Sequence, residues 1–71
     1  MNRKPEKHSV IIAGHSTSVS LEPEFWEALR RIAKSEGLSA AALLEKIDAD
    51  RGERNLSSAA RVYILNQLQN P

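Results

Sequence analysis

Three serines alternate along one short segment, at Ser16, Ser18 and Ser20. Successive side chains of an extended strand point to opposite faces, so a strand through this segment places the three hydroxyls on one face. A hydroxyl both donates and accepts hydrogen bonds, which suits contacts with the polar edges of a ligand. Nucleophilic catalysis needs a base positioned beside the serine, and the segment supplies no such group. We therefore predict a hydroxyl-bearing face and no enzyme.

The two histidines, His8 and His15, are the other candidates for chemistry because imidazole is a common metal ligand. No carboxylates cluster with them, and the chain has no cysteine, so we predict no metal, no other cofactor and no disulfide. The lack of cysteine fits a reducing compartment. Apolar runs such as residues 10–13 are far too short to span a membrane, and no signal-peptide segment is recognisable, so we expect a cytoplasmic protein without a membrane span.

The length of 71 residues corresponds to one small domain. A domain of this size buries only about 60% of the surface that its unfolded chain exposes, so a monomer is marginally stable. Since disulfides and metals are not expected, association of subunits remains as the means of stabilisation. We therefore predict a homodimer. The small core of such a domain also leaves no room for the pocket that an enzyme needs.

The formal net charge is +1, but the charges are distributed unevenly along the chain. The first 20 residues carry one acid against three cations, Arg3, Lys4 and Lys7. Residues 21–55 carry eight acids and six bases. Residues 1–7 are predicted to form a disordered basic arm. Such an arm either reaches a polyanion or is simply a solvated tail, and the sequence leaves both interpretations open.

A short strand is predicted at about residues 16–21. Within it, Val19 and Leu21 alternate with the serines and should face a core. Residues 9–13 also favour extended structure, because they include three consecutive β-branched residues. Gly14 then interrupts them as a bulge, a bend or the tip of a tight hairpin, and the sequence does not decide among the three.

Three helices are predicted after the strand, at about residues 23–36, 39–51 and 56–69. Pro23 suits the first position of the first helix, and Gly37 suits a left-handed C-cap at its end. Ser39 is the predicted N-cap of the second helix, and either Asn55 or Ser57 caps the third. The third helix is apolar on nearly every side, which indicates contact with a partner subunit.

The order strand, helix, Gly-x-Ser turn, helix resembles the ribbon-helix-helix domain. The more specific motifs are Leu-x-Pro-Glu-Phe-Trp, which begins at Leu21, and Asn-Leu-Ser-Ser, which begins at Asn55. Over about residues 8–68 the chain is similar to small bacterial proteins of this family. The resemblance implies a mainly α-helical fold with one short strand, in which residues 8–71 form a ribbon-helix-helix domain with an additional C-terminal helix. It also implies a homodimer whose two strands pair antiparallel across a twofold axis.

In such a dimer the two-stranded ribbon enters the major groove of DNA. The resemblance assigns base contacts to Ser16, Ser18 and Ser20, which the alternation independently places on the outward face. It assigns a phosphate contact to Ser39 and to the backbone N–H groups at the start of its helix. Ser39 as an ordinary N-cap needs no phosphate, and that interpretation remains open. Further phosphate contacts are expected from the arm residues Arg3, Lys4 and Lys7.

The dimer interface implied by this fold consists of eight apolar residues, namely Val19, Leu21, Phe25, Trp26, Leu29, Leu43, Leu44 and Ile47. The function that follows is a DNA-binding transcriptional regulator with double-stranded DNA as its partner. The alternative is a dimeric adaptor that binds another protein through the hydroxyl-rich ribbon or the acidic middle segment. A steep dependence of binding on salt concentration distinguishes the first function from the second.

Overall fold

The computed structural model describes residues 4–69, in which two strands are followed by three helices. The elements, in chain order, are β1 (Glu6–Ile12), β2 (His15–Leu21), α1 (Pro23–Ser35), α2 (Ala40–Asp50) and α3 (Leu56–Gln69). The expectation of a single short strand was wrong, because residues 6–12 form a strand as well. The two strands pair antiparallel within one chain.

The two strands are joined by a turn of two residues, Ala13 and Gly14, so Gly14 lies at the tip of a tight hairpin. The φ angles of Ala13 and Gly14 are 51° and 81°. A type I′ turn requires positive φ at both central residues, and its twist matches the twist of the flanking strands. Glycine adopts such angles freely, whereas alanine does so at a cost. The chain can therefore close its own ribbon without a partner strand.

The first strand begins at Glu6, so the predicted disordered arm of residues 1–7 extends too far. Glu6 and Lys7, the last two residues of the predicted arm, belong to β1, where they pair with Leu21 and Ser20. Trp26 fixes this end of the strand to α1, because its indole Nε1 donates a hydrogen bond to the carbonyl oxygen of Glu6 at 3.0 Å. The Trp26 ring also packs on His8, with 4.2 Å between the ring centroids.

The helix ends follow local signals in the sequence. Gly37, with a φ of 72°, ends α1 in a Schellman motif, in which Leu38 N–H donates to Ala33 C=O at 2.8 Å. Ser39 caps α2, since its Oγ accepts a hydrogen bond from the N–H of Ala42 at 3.1 Å. Of the two candidates for the cap of α3, Asn55 takes the role, because its Oδ1 accepts from Ser58 N–H at 2.8 Å.

One continuous core lies between the hairpin and the three helices. Among residues 4–69, thirteen hydrophobic residues are buried in it: Ile12, Val19, Leu21, Trp26, Leu29, Ala33, Leu43, Leu44, Ile47, Leu56, Ala59, Ala60 and Ile64. Seven of the eight residues predicted for the dimer interface belong to this set, and Phe25 is half-buried beside it. They are buried within one chain because β1 and α3 cover the core, so these seven residues require no second subunit for their burial. Within residues 4–69 no helix combines the length and the hydropathy of a membrane span.

Candidate nucleic-acid interface

The hairpin turns one face toward the core and the other toward solvent. The outward face, which we call the outer face, consists of three residues from each strand: Lys7, Ser9, Ile11, Ser16, Ser18 and Ser20. Cross-strand pairing joins Lys7 to Ser20, Ser9 to Ser18 and Ile11 to Ser16. On the opposite face Val19 and Leu21 are completely buried, and Ile12 is buried as well. The alternation that the sequence predicts for residues 16–21 is therefore the one observed.

The three predicted serines share this face but differ in exposure. Ser16 and Ser18 are exposed, whereas Ser20 is half-buried where β2 approaches α3. Lys7, which the sequence assigned to the flexible arm, lies instead on β1 directly across from Ser20. Lys4 is exposed and precedes the strand, and Arg3 lies outside the described residues. The structure thus adds a fixed cation to the serine face.

Sequence reasoning missed the contribution of β1 to the outer face, namely Ser9 and Ile11. Ile11 is 70% exposed, although both of its neighbours face the core. Alternation along a strand places Ile11 on the face opposite to Val10 and Ile12. It does not show which of the two faces is exposed until the cross-strand register is known. The Ala13-Gly14 turn supplies that register, and it lacks the Asn-Gly or Asp-Gly signature that predicts such a turn.

The outer face carries one ammonium group and four hydroxyls, and none of its six residues is acidic. The nearest carboxylates along the chain are occupied elsewhere. Glu6 Oε1 lies 3.5 Å from His8 Nε2. Glu22 accepts a hydrogen bond from Arg61 Nε at 3.1 Å, and its own backbone together with the Arg61 guanidinium lowers the pKa of Glu22. An exposed face of this composition suits contact with phosphate oxygens and with polar base edges.

The edge of β2 that faces away from β1 is partly covered by α3. The N–H of Ser20 donates to Ser57 Oγ at 3.0 Å, and the carbonyl oxygen of Ser20 accepts from Arg61 Nη2 at 3.2 Å. In an antiparallel strand alternate residues direct both backbone groups to the same edge, so Ser16 and Ser18 direct theirs to this edge as well. A groove of about 610 Å³ adjoins this edge. The edge is therefore closed by α3 at Ser20 and borders a groove toward the hairpin tip.

Ser39 forms its hydrogen bonds with α2 and not with the outer face. Its hydroxyl caps α2, and its side chain is exposed. Among the hydrogen bonds and ion pairs of residues 4–69, none connects Ser39 to the hairpin. The structure therefore accounts for Ser39 as an N-cap, and the predicted phosphate contact remains a prediction.

A second polar cluster, separate from the hairpin, links the three helices. Tyr63 of α3 donates a hydrogen bond to Glu36 Oε2 at 2.9 Å, and Lys46 of α2 donates to Glu36 Oε1 at 3.2 Å. The Tyr63 hydroxyl, followed by Lys46, lowers the pKa of Glu36, whereas burial and then Glu36 raise the pKa of Tyr63. Because Glu36 follows the last residue of α1, this cluster fastens the helices to one another.

Comparison with known proteins identifies the family. The model of the ribbon-helix-helix domain matches residues 5–68. The fold is also similar to a solved structure of an uncharacterized protein from Bordetella pertussis Tohama I, with a TM-score of 0.78 and 33% sequence identity. That match covers 90% of this chain but spans only 55% of the length of the Bordetella protein. No curated protein matches the chain. On the extent of the family match, the chain belongs to the ribbon-helix-helix domain family.

Proposed function

We propose that the protein is a dimeric DNA-binding transcriptional regulator of the cytoplasm and that it inserts the outer face of its hairpin into the major groove. The observation that carries this proposal is the composition of the outer face, which is exposed, hydroxyl-rich and without acid, with Lys7 at a fixed position. A two-stranded β-ribbon fits the width of the major groove, and the dimer presents such a ribbon as the pair of β2 strands at the centre of its sheet. The family match is the second support, because ribbon-helix-helix proteins bind DNA through a two-stranded β-ribbon.

The dimer forms in this proposal through the edge of β2 that faces away from β1. A twofold axis beside Thr17 brings Ser16 opposite Ser18 of the partner subunit, and the reverse pair follows by symmetry. Both residues direct their N–H and C=O groups to that edge, so each pair forms two hydrogen bonds and the dimer gains four. Pairing ends at Ser20, because Ser57 and Arg61 already occupy its backbone groups. The result is a four-stranded sheet with β2 of each subunit at its centre.

DNA binding by such a sheet is weak and depends mainly on the phosphate backbone. The strongest base contacts come from Arg, Lys, Asn and Gln, and each good bidentate pair contributes about 1–3 kcal/mol of discrimination. The central positions here are serines, whose hydroxyls discriminate poorly between donors and acceptors. Phosphate contacts are supplied by Lys7, by the arm residues Arg3 and Lys4, and by the start of α2 at Ser39.

Fluorescence anisotropy with a labelled duplex of about 24 base pairs, at two salt concentrations, tests this function. The intact protein is expected to bind at low salt and to lose affinity steeply as salt increases. Ser18→Glu places a carboxylate at the centre of the outer face and is expected to weaken binding by about tenfold or more. Gln67→Glu makes the same change of charge on exposed α3 and serves as the matched control, with little expected effect. Failure of the intact protein to bind any duplex at low salt would overturn the proposal.

The second candidate function is the dimeric adaptor, and an exposed apolar surface favours it. Leu65 and Leu68 are 51% and 69% exposed on α3, and they border a groove lined also by Phe25 and Val62. A protein partner that docks through apolar contacts binds with little dependence on salt. Salt-insensitive binding of a protein, together with no affinity for DNA, would favour this function.

A further inference from the structure

Ile11 is an exposed apolar side chain on the outer face of the hairpin, where the other five residues are polar. Val10 and Ile12 face the core, so the alternation directs Ile11 outward, where 70% of it is accessible. Its cross-strand partner is Ser16, and Ser9 lies two residues along the same strand on the same face. Since both neighbours are short, the branched side chain of Ile11 projects above the surrounding hydroxyls.

An apolar group on a DNA-binding face has one apolar partner among the base edges of the major groove. That partner is the 5-methyl group of thymine, because the other groove-facing groups are hydrogen-bond donors or acceptors. We propose that Ile11 contacts thymine 5-methyl groups and gives the protein a preference for thymine-bearing duplexes. This inference rests on the proposed function and adds a specificity determinant that lies on β1, outside the serines of β2.

The position of Ile11 across the sheet agrees with this contact. Neighbouring strands lie about 4.8 Å apart, so in the four-stranded dimer sheet the two β1 strands flank the central pair. Three spacings separate the two β1 strands by about 14 Å, and the major groove is about 12 Å wide, so the central strands lie over the groove floor and the β1 strands lie at its margins. The 5-methyl group of thymine lies at such a margin, beside the backbone of its own strand. Lys7, on the same strand and the same face, is then directed toward phosphates.

The test compares two duplexes of the same alternating sequence and of equal length, one with thymidine and one with deoxyuridine, which lacks only the methyl group. Each protein variant is titrated against both at low salt. For the intact protein, replacing thymidine with deoxyuridine is expected to weaken binding about fourfold for each methyl group that Ile11 contacts. Ile11→Ser is expected to bind the two duplexes equally, because the contact is removed. Its melting temperature should equal that of the intact protein, since position 11 is exposed.

The outcomes separate the inference from the function on which it rests. A preference for thymidine in the intact protein that disappears in Ile11→Ser supports the contact. A preference that persists unchanged in Ile11→Ser comes from the shape of the DNA and overturns the contact. Equal binding of both duplexes by the intact protein also overturns it, while leaving the proposed function in place. No binding of either duplex overturns the proposed function and the inference together.

Discussion

Adjacent residues of β2 have opposite environments, and that contrast defines the candidate site. Val19 is completely buried, whereas Ser18 beside it is exposed on the outer face. The serine face was predictable, because alternation within one strand is a local signal. The places of Lys7, Ser9 and Ile11 were not predictable, because they depend on which residue of β1 lies opposite which residue of β2. Local patterns do not determine such pairing when the turn is atypical.

Substitutions at these two neighbours should have unequal effects. Val19→Asp buries an unpaired charge in the core and is expected to cost about 3 kcal/mol or more, enough to unfold much of the protein. Ser18→Ala removes an exposed hydroxyl and should change the free energy of unfolding by less than about 0.5 kcal/mol. Thermal melts followed by circular dichroism measure both. Equal destabilisation by the two substitutions would mean that the register of the hairpin is wrong.

The polar cluster of Glu36, Lys46 and Tyr63 should make the stability of the folded state depend on pH in the acidic range. Because the Tyr63 hydroxyl and Lys46 lower the pKa of Glu36 below its ordinary value of 4.5, the ionised form stabilises the folded state. That contribution is present above pH 4.5 and is lost as the pH falls through the lowered value. Glu36→Gln should therefore reduce the melting temperature at neutral pH and flatten its decline in acid. Glu27→Gln, which breaks an exposed pair with Arg31, is the control and should lower the melting temperature at neutral pH by less.

The hairpin is the element that the sequence predicted least well, and the helices are the elements it predicted best. Pro23, Gly37 and Ser39 act on residues within one turn of themselves, so the helix ends could be located from local chemistry. The hairpin depends on positive φ at Ala13, which alanine rarely adopts and no sequence signal indicates. Its pairing brings β1 to the outer face and thereby completes the candidate site.

Substitutions in the turn should alter stability in opposite directions. Asparagine tolerates positive φ better than alanine, so Ala13→Asn is expected to raise the melting temperature by a few degrees, a gain of about 0.5 kcal/mol. Gly14→Ala meets no heavy atom within 4 Å but must adopt a φ near 81°. It should cost about 1 kcal/mol, or roughly 4–8 °C in melting temperature. A stabilising Gly14→Ala would contradict the turn geometry.

At the scale of the whole molecule, one chain closes a core that the sequence led us to expect two chains to share. The hairpin covers one side and α3 another, and thirteen hydrophobic residues of the described part of the chain are buried between them. The second subunit then has a functional purpose in our proposal, because it doubles the ribbon and the phosphate contacts. The edge of β2 is the surface that this assembly requires.

The proposed dimer can be tested with proline at two adjacent positions. Ser18→Pro removes an N–H that faces away from β1, so it should break the contact between subunits while the hairpin remains folded. Thr17→Pro removes an N–H that bonds to β1 and should destabilise the hairpin itself. Sedimentation equilibrium should give twice the chain mass for the intact protein, with a melting temperature that rises with concentration. An intact protein that stays monomeric at micromolar concentration would refute the dimer.

The most direct measurement of the central claim is a titration of the ¹⁵N-labelled protein with a duplex at low salt, followed by amide chemical shifts. Contact through the outer face predicts the largest changes at Lys7, Ser9, Ile11, Ser16 and Ser18, and small changes along the exposed side of α3. The changes should reverse as salt is added, since phosphate contacts dominate the affinity. Changes confined to α3, or no changes at any DNA concentration, would contradict the claim that this hairpin binds DNA.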